Sequence, residues 1–281
     1  MKLNFTKMHG CGNDYVYINC FEQEVKDFSK LSIELSHRRF GIGGDGVIYI
    51  CPSDVADARM RMFNLDGSEG KMCGNGIRCV GKYLFDNSMV SGDTTSIETL
   101  SGIKKLKAYR NQKGEVTALS VNMGKAELTP ENIPVALDGE SIINYSHKVD
   151  GKDYDITCVS MGNPHCIVFV DDVKNIPLEK IGPKFEHNEI FPEGMNTEFV
   201  KIISPTEIEM RVWERGSGET WACGTGACAS GVASVLNGFC NKGEDITVHL
   251  IGGDLTVNYT DECVMMTGPA VKVFDGEIEI N

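Results

Sequence analysis

Cys73-Gly74-Asn75-Gly76 and Cys223-Gly224-Thr225-Gly226 are one turn written twice, 150 residues apart. The same spacing relates two further landmarks. Gly12-Asn13 recurs as Gly162-Asn163, each leading into a β-rich run, Tyr15-Val16-Tyr17-Ile18 in one case and Cys166-Ile167-Val168-Phe169-Val170 in the other. Arg61-Met62-Phe63-Asn64 recurs in kind as Arg211-Val212-Trp213-Glu214, and small-residue turns follow both, Asp66-Gly67-Ser68 and Gly216-Ser217-Gly218. A single Gly-rich match carries little weight, but three landmarks in one register argue that the chain is built of two similar halves.

Within each half, short apolar or alternating runs separated by Gly, Pro, Asn and Asp read as strands joined by turns: residues 47–50, 59–63, 118–121 and 207–213. After each Cys-Gly-x-Gly the spacing turns helical, with Ile77, Val80, Gly81 and Leu84 in one half and Ala227, Ala229, Val232, Ala233, Val235 and Leu236 in the other. The second helix is apolar nearly all round, which predicts burial at the centre of its half with strands about it. Another helix is predicted over Ser29 to Arg39. Hinges are expected at Asn122-Met123-Gly124-Lys125 and Gly268-Pro269, the second returning the last strand, Val271 to Ile280, to the first half. The expected fold class is α/β (α+β), with one domain over residues 1–122 plus about 270–281 and the other over 123–269.

Composition narrows the function classes. The chain has 281 residues, 41% hydrophobic and 24% charged, which fits a globular protein of one large or two ordinary domains. Lys+Arg 27 against Asp+Glu 40 leaves a net charge of -13, the wrong sign for a nucleic-acid partner. No apolar run approaches the roughly 18–20 residues needed to cross a bilayer, and Met1 to Gly10 lacks the apolar core of a signal peptide. A cytoplasmic protein with no membrane partner is expected. The eleven cysteines are odd in number and scattered along the chain, unlike a disulfide framework. No two are separated by two residues, and the tightest pair, Cys223 and Cys228, has no matching second pair, so no metal site is expected. Most of these thiols read as small buried hydrophobes, among them Cys11, Cys79 and Cys228.

Two of them differ by position. A Cys-Gly-x-Gly turn entering a helix puts a thiol beside unpaired N–H groups and the positive end of the helix dipole, both of which favour thiolate. The same N–H groups suit a carboxylate, and the glycines let the ligand approach the backbone. Two halves, each offering a thiol to a shared cleft, would place a proton carrier on either face of one bound molecule. That arrangement predicts stereoinversion beside a carboxylate, with Cys73 and Cys223 as the carriers and no cofactor.

Five motifs then resemble the diaminopimelate epimerase family over nearly the whole chain: residues 8–14 (MHGCGND), 63–69 (FNLDGSE), 72–76 (MCGNG), 162–165 (GNPH), and 214–226 from Glu214-Arg215-Gly216 to Cys223-Gly224-Thr225-Gly226. The resemblance implies two pseudo-symmetric domains, each a curled, mostly antiparallel sheet around a central helix. It implies interconversion of LL- and meso-diaminopimelate, on the route to lysine and peptidoglycan, by a homodimer without cofactor. It also implies that Cys73 and Cys223 are the acid/base thiols, that Gly74, Asn75, Gly224 and Thr225 bind the reacting carboxylate, and that His165 and Glu214 adjust the thiols. Asn13, Asn64, Asn163, Asn196, Glu214 and Arg215 would hold the amino groups and the remote carboxylate, as a ligand zwitterionic at both ends requires.

One departure concerns residues 41–46, GIGGDG, where some family members carry a ligand-contacting glutamine at the position of Gly46. The same glycines precede a strand instead of joining a strand to a helix, so they do not make a dinucleotide fingerprint. The alternatives are another amino-acid racemase of the same fold, or a non-catalytic redox or metal thiol protein. Asn75 argues against a proline racemase, whose pattern places histidine after the first Cys-Gly, and Arg215 with Asn64 and Asn196 favours a substrate with a second charged end.

Overall fold

The structure, a computed structural model, describes residues 2–280. They divide into two compact units, one formed by the chain up to Val121 and from Thr267 onward, the other by Asn122–Met266. In the first unit the order is β1 (Lys2–Gly10), β2 (Asn13–Asn19), α1 (Phe28–Ser36), β3 (Gly46–Cys51), β4 (Ala58–Asn64), β5 (Glu69–Gly70), α2 (Gly74–Asp86), β6 (Thr94–Thr99), β7 (Gly102–Arg110) and β8 (Val116–Asn122). The second unit contains β9 (Tyr145–Val149), β10 (Lys152–Ser160), β11 (Pro164–Phe169), α3 (Leu178–Glu186), β12 (Asn196–Ser204), β13 (Glu207–Glu214), β14 (Gly218–Thr220), α4 (Gly224–Leu236), β15 (Asp245–Leu250) and β16 (Gly253–Tyr259). In β17 (Val264–Pro269) the chain passes back, and β18 (Val271–Glu279) pairs antiparallel with β1.

The strand pairings repeat with the sequence. In the first unit β1–β2, β3–β4, β4–β5 and β6–β7 are antiparallel, while β2–β3 and β4–β6 are parallel. The second unit repeats this as antiparallel β10–β11, β12–β13, β13–β14 and β15–β16 with parallel β11–β12 and β13–β15. Even the register is kept: Tyr15 opposite Gly46 becomes His165 opposite Asn196, and Tyr17 opposite Ile48 becomes Ile167 opposite Glu198. The β1–β2 turn uses left-handed backbone at Cys11 and Gly12 (φ 52° and 79°), and the β10–β11 turn uses it at Gly162 (φ 97°).

Each Cys-Gly-x-Gly starts a helix that packs inside its own sheet, α2 against β1, β2, β6 and β7 and α4 against β10 to β13, β15 and β16. Close approach needs small residues on these helices. A Cβ at Gly81 would lie 2.6 Å from Leu119 and 2.9 Å from Leu106, and one at Gly231 would lie 2.8 Å from Val257.

Two helices differ from expectation. α1 starts at its Asp27 cap, whose carboxylate accepts the Lys30 N–H (3.0 Å), but ends at Ser36, three residues short of Arg39. The carbonyls of Leu35 and Ser36 are taken by the N–H groups of Ile42, Gly43 and Gly44 as the Gly-rich loop folds back, and this ends the helix. α3 has no side-chain cap and contains Pro183, so two of the features that mark a helix in sequence are against it. Burial stabilises it instead: Phe185 packs edge-on against Tyr154 and Phe199 at ring-centroid distances of 5.2 and 5.5 Å. Among the described residues no helix is long and apolar enough to cross a membrane.

If the α2 contact is as tight as the distances imply, Gly81→Val should lower unfolding free energy by about 1–3 kcal/mol through overpacking. Urea denaturation would measure it, and a stability within about 0.5 kcal/mol of the parent would show that the sheet yields freely there.

Candidate active site

In the first unit, Cys73 has extended backbone (φ -130°, ψ 119°) and caps α2, its Sγ accepting the Gly76 N–H at 3.3 Å. Ile77 N–H takes the Cys73 carbonyl (2.9 Å), so Gly74 and Asn75 lie before the helical ladder begins. The Cys73 thiol donates to Asn13 Oδ1 (3.4 Å), and the Asn13 amide donates to Asp45 (2.7 Å). Asp45 is tied to Arg38 (2.8 Å), which also bridges to Asp14 (2.8 Å), and Asp14 pairs with Lys7 (2.6 Å). Burial pushes the Asp14 carboxyl up, but hydrogen bonds and charge from Arg38 and Lys7 outweigh it and hold it below its ordinary value.

Tyr15 is buried and hydrogen-bonded with Cys73 and Asn13; burial first, then negative charge at Cys73 and Asp45, pushes its phenol well up, so it keeps its proton. Asn75 is almost fully buried, and its Oδ1 accepts from Arg78 (2.8 Å). Arg78 is fully buried and also donates to the carbonyls of Gly74 (3.0 Å) and Pro269 (3.3 Å), which fixes the start of α2. Asn64 lies opposite Gly46 and donates to Ser68 Oγ (3.0 Å). A Cβ at Gly46 would run into the Phe63 carbonyl, so this segment offers backbone only.

In the second unit Cys223 caps α4 in the same way, accepting the Gly226 N–H at 3.3 Å, with Thr225 Oγ1 at 3.4 Å. Its surroundings are charged. Glu214 is hydrogen-bonded with Cys223 and accepts from Thr220 Oγ1 across the β13–β14 hairpin. The ligating atoms of His165, Glu198 and Cys223 lie within 4.8 Å of one another. His165 Nδ1 faces Glu198 Oε1 (2.7 Å) and Nε2 faces Asn163 Oδ1 (3.1 Å), so both ring nitrogens are engaged.

The helix dipole alone does not set the Cys223 proton. The thiolate expected from a helix N-terminus is overturned here: burial pushes the thiol well up, and the Glu214 and Glu198 carboxylates push it further, against Thr225 and the Gly226 N–H. Burial also raises Glu214, partly offset by its bonds with Thr220 and Cys223 and by His165.

The other expected binding residues are placed as follows. Asn196 is buried, donating to the Pro164 carbonyl (2.6 Å) and accepting the Arg215 N–H (3.0 Å), so it shapes the turn that carries Arg215. The Arg215 side chain is exposed, with Nη1 on the Glu193 carbonyl (2.8 Å). Glu186 braces the same turn through the Trp213 indole (2.7 Å) and the Gly216 N–H (2.8 Å). Thus Cys73 comes together with Asn13, and Cys223 with Glu214, Thr225, His165 and Asn163. Sequence reasoning missed Tyr15, Arg78 and Glu198.

This fold is shared by solved structures of low sequence identity. A hydroxyproline epimerase from Agrobacterium vitis aligns with a TM-score of 0.69 at 14% identity, covering 99% of this chain and 91% of that one. A phenazine biosynthesis protein of the PhzF family from Bacillus anthracis aligns with a TM-score of 0.68 at 16% identity over the full length of both. The sequence assigns the family. The profile described as diaminopimelate epimerase matches residues 5–129 and 157–273, and the chain belongs to that family. Proteins named diaminopimelate epimerase from Acetivibrio thermocellus and Methanococcus maripaludis are 54% and 51% identical to it, each over 99% of this chain and 99% and 100% of their own.

Because Glu214 raises the Cys223 thiol, Glu214→Gln should increase the thiolate fraction at neutral pH. Alkylation of Cys223 at pH 7, followed by peptide mass mapping, should be about threefold to tenfold faster than in the parent. An unchanged or slower rate would count against carboxylate control.

Proposed function

We propose that the protein is a cofactor-independent isomerase that interconverts LL- and meso-diaminopimelate, a step in lysine biosynthesis. The observation that carries this reading is the pair of helices, α2 and α4, each capped by a thiol accepting the N–H three residues on. Inversion requires the proton to enter the face opposite the one it left, and two thiols, Cys73 and Cys223, supply a donor and an acceptor. In either direction one thiolate removes the α-proton while the other thiol delivers its own, and the sulfurs exchange roles for the reverse reaction.

The reacting carboxylate gathers charge as the α-carbon loses its proton. Gly74, Asn75, Gly224 and Thr225, at the starts of the two helices, are the groups to hold it. Asn13, Asn64, Asn163, Asn196, Glu214 and Arg215 serve the amino groups and the remote carboxylate, an amide, carboxylate and guanidinium set that suits a double zwitterion. His165 and Glu214 adjust Cys223, next to which they lie. We place the enzyme in the cytoplasm, which its scattered cysteines favour. A homodimer is part of the reading, and exposed Val271, Val273 and Phe274 on β18 are apolar side chains of the kind an interface covers.

Incubation with LL-diaminopimelate in D₂O tests the chemistry. With two carriers, the product receives deuterium that the second sulfur has taken from solvent, so an early sample should show labelled meso product and almost unlabelled substrate. Cys73→Ala and Cys223→Ala should each abolish turnover. Equal early labelling of substrate and product, or near-normal turnover in either variant, would overturn the two-thiol mechanism; no stereoisomer formed by the parent would overturn the function.

A further inference from the structure

Glu198 is a fully buried acid that neither the motifs nor the family resemblance singles out. Its position has a counterpart. Glu198 stands in β12 where Ile48 stands in β3, opposite Ile167 and Tyr17 respectively. Each lies under the third residue of the helix turn, so that a Cβ at Gly76 would meet Ile48 first and one at Gly226 would meet the Glu198 carboxylate first. The first unit shows that an aliphatic side chain satisfies the packing at this place. A carboxylate there costs desolvation, and Glu198 Oε2 is buried without a hydrogen-bond partner.

What the carboxylate gains is His165. The pair is 2.7 Å apart with both side chains wholly buried. Nδ1 faces Glu198 Oε1 at 2.7 Å and Nε2 faces Asn163 Oδ1 at 3.1 Å, and two oxygens facing the ring are both satisfied only by hydrogen on both nitrogens. A ring so satisfied would be a cation, and the groups facing it are Glu198 from β12, Glu214 from β13 and Cys223 from the start of α4. A cation within 4.8 Å of Cys223 Sγ favours the thiolate that must form in each turnover, in a place where burial and two carboxylates oppose it.

We propose that Glu198 is a positioning residue for the epimerisation: its buried carboxylate holds the His165 ring in place with hydrogen on both nitrogens, so that a fixed cation faces Cys223. The proposal rests on Cys223 being an acid/base thiol, as in the reading above. Glu198 touches no substrate and acts through His165. His165→Gln should therefore remove the benefit of Glu198 altogether.

The test combines kinetics with a direct view of the ring. Glu198→Gln should lower kcat about tenfold while KM stays within about twofold, because the substrate contacts are untouched. The alkaline limb of its pH–rate profile should move toward lower pH, since the ring loses its counter-charge. In a His165→Gln background Glu198→Gln should add no further loss. Glu198→Leu, which copies the aliphatic packing of Ile48, serves where the amide disturbs folding. Independently of any variant, nitrogen NMR of the histidine-labelled parent at pH 7.5 should show both ring nitrogens of His165 protonated. A singly protonated ring, an unmoved alkaline limb, or fully additive losses in the double variant would each overturn the proposal. Absence of epimerase activity in the parent would instead overturn the functional reading, and the NMR result would still decide the state of the ring.

Discussion

A thiol sulfur accepting the N–H three residues along, from Gly76 to Cys73 and from Gly226 to Cys223, is the contact on which both halves of the chain turn. Sulfur is a weak acceptor, so the bond by itself is a modest cap. Its importance lies in what must be true for it to form. The cysteine has to hold extended backbone while the next residue is already helical, the third residue has to lie against the strand below, and the helix has to enter the interior of its own sheet. Glycine at the third position satisfies the second condition, and the small or apolar faces of α2 and α4 satisfy the last. One local geometry therefore places a thiol and seats the central helix.

The helix terminus does not decide the charge of that side chain. Alignment with a helix dipole is worth about 0.3–1 kcal/mol, up to about 2 in sheltered sites, whereas full burial can move an ionisable group by about 3–5 pKa units. At Cys223 burial has the larger share, and two carboxylates add to it. The two units differ in this respect. Around Cys73 the neighbours are an amide, Asn13, and a protonated phenol, Tyr15, with the charges of Asp14, Arg38, Asp45 and Lys7 held in a network one residue further out. Around Cys223 the neighbours are themselves ionisable.

What could be read in the sequence was whatever depends on spacing. The constant offset between Cys73 and Cys223 exposes the repeat, and the apolar periodicity after each turn exposes α2 and α4, because both are properties of the backbone plan. The end of α1 was not legible, since it depends on residues 42–44 folding back onto Leu35 and Ser36, and α3 was not legible because Phe185 holds it by tertiary packing in spite of Pro183. The candidate site divides in the same way. Asn13, His165, Glu214 and the two thiols sit in motifs, while Tyr15 and Glu198 become visible only when strand register brings them under a helix start. Arg78 is wholly buried, where bonds to Asn75, Gly74 and Pro269 help to satisfy its guanidinium.

The repeat also indicates where the two halves have specialised. At equivalent registers the first unit has Tyr15, Ile48 and Asn64 where the second has His165, Glu198 and Glu214. Neutral groups in one half are thus replaced by three ionisable ones in the other, while the capped thiol and the strand pairings are unchanged. Packing alone cannot account for this, because the neutral set fills the same frame. A reaction that must run in both directions with one thiol charged and the other protonated gives a reason for the difference. If both thiols had identical surroundings, neither protonation pattern would be preferred at rest; burial and carboxylates at Cys223 bias that sulfur toward the thiol.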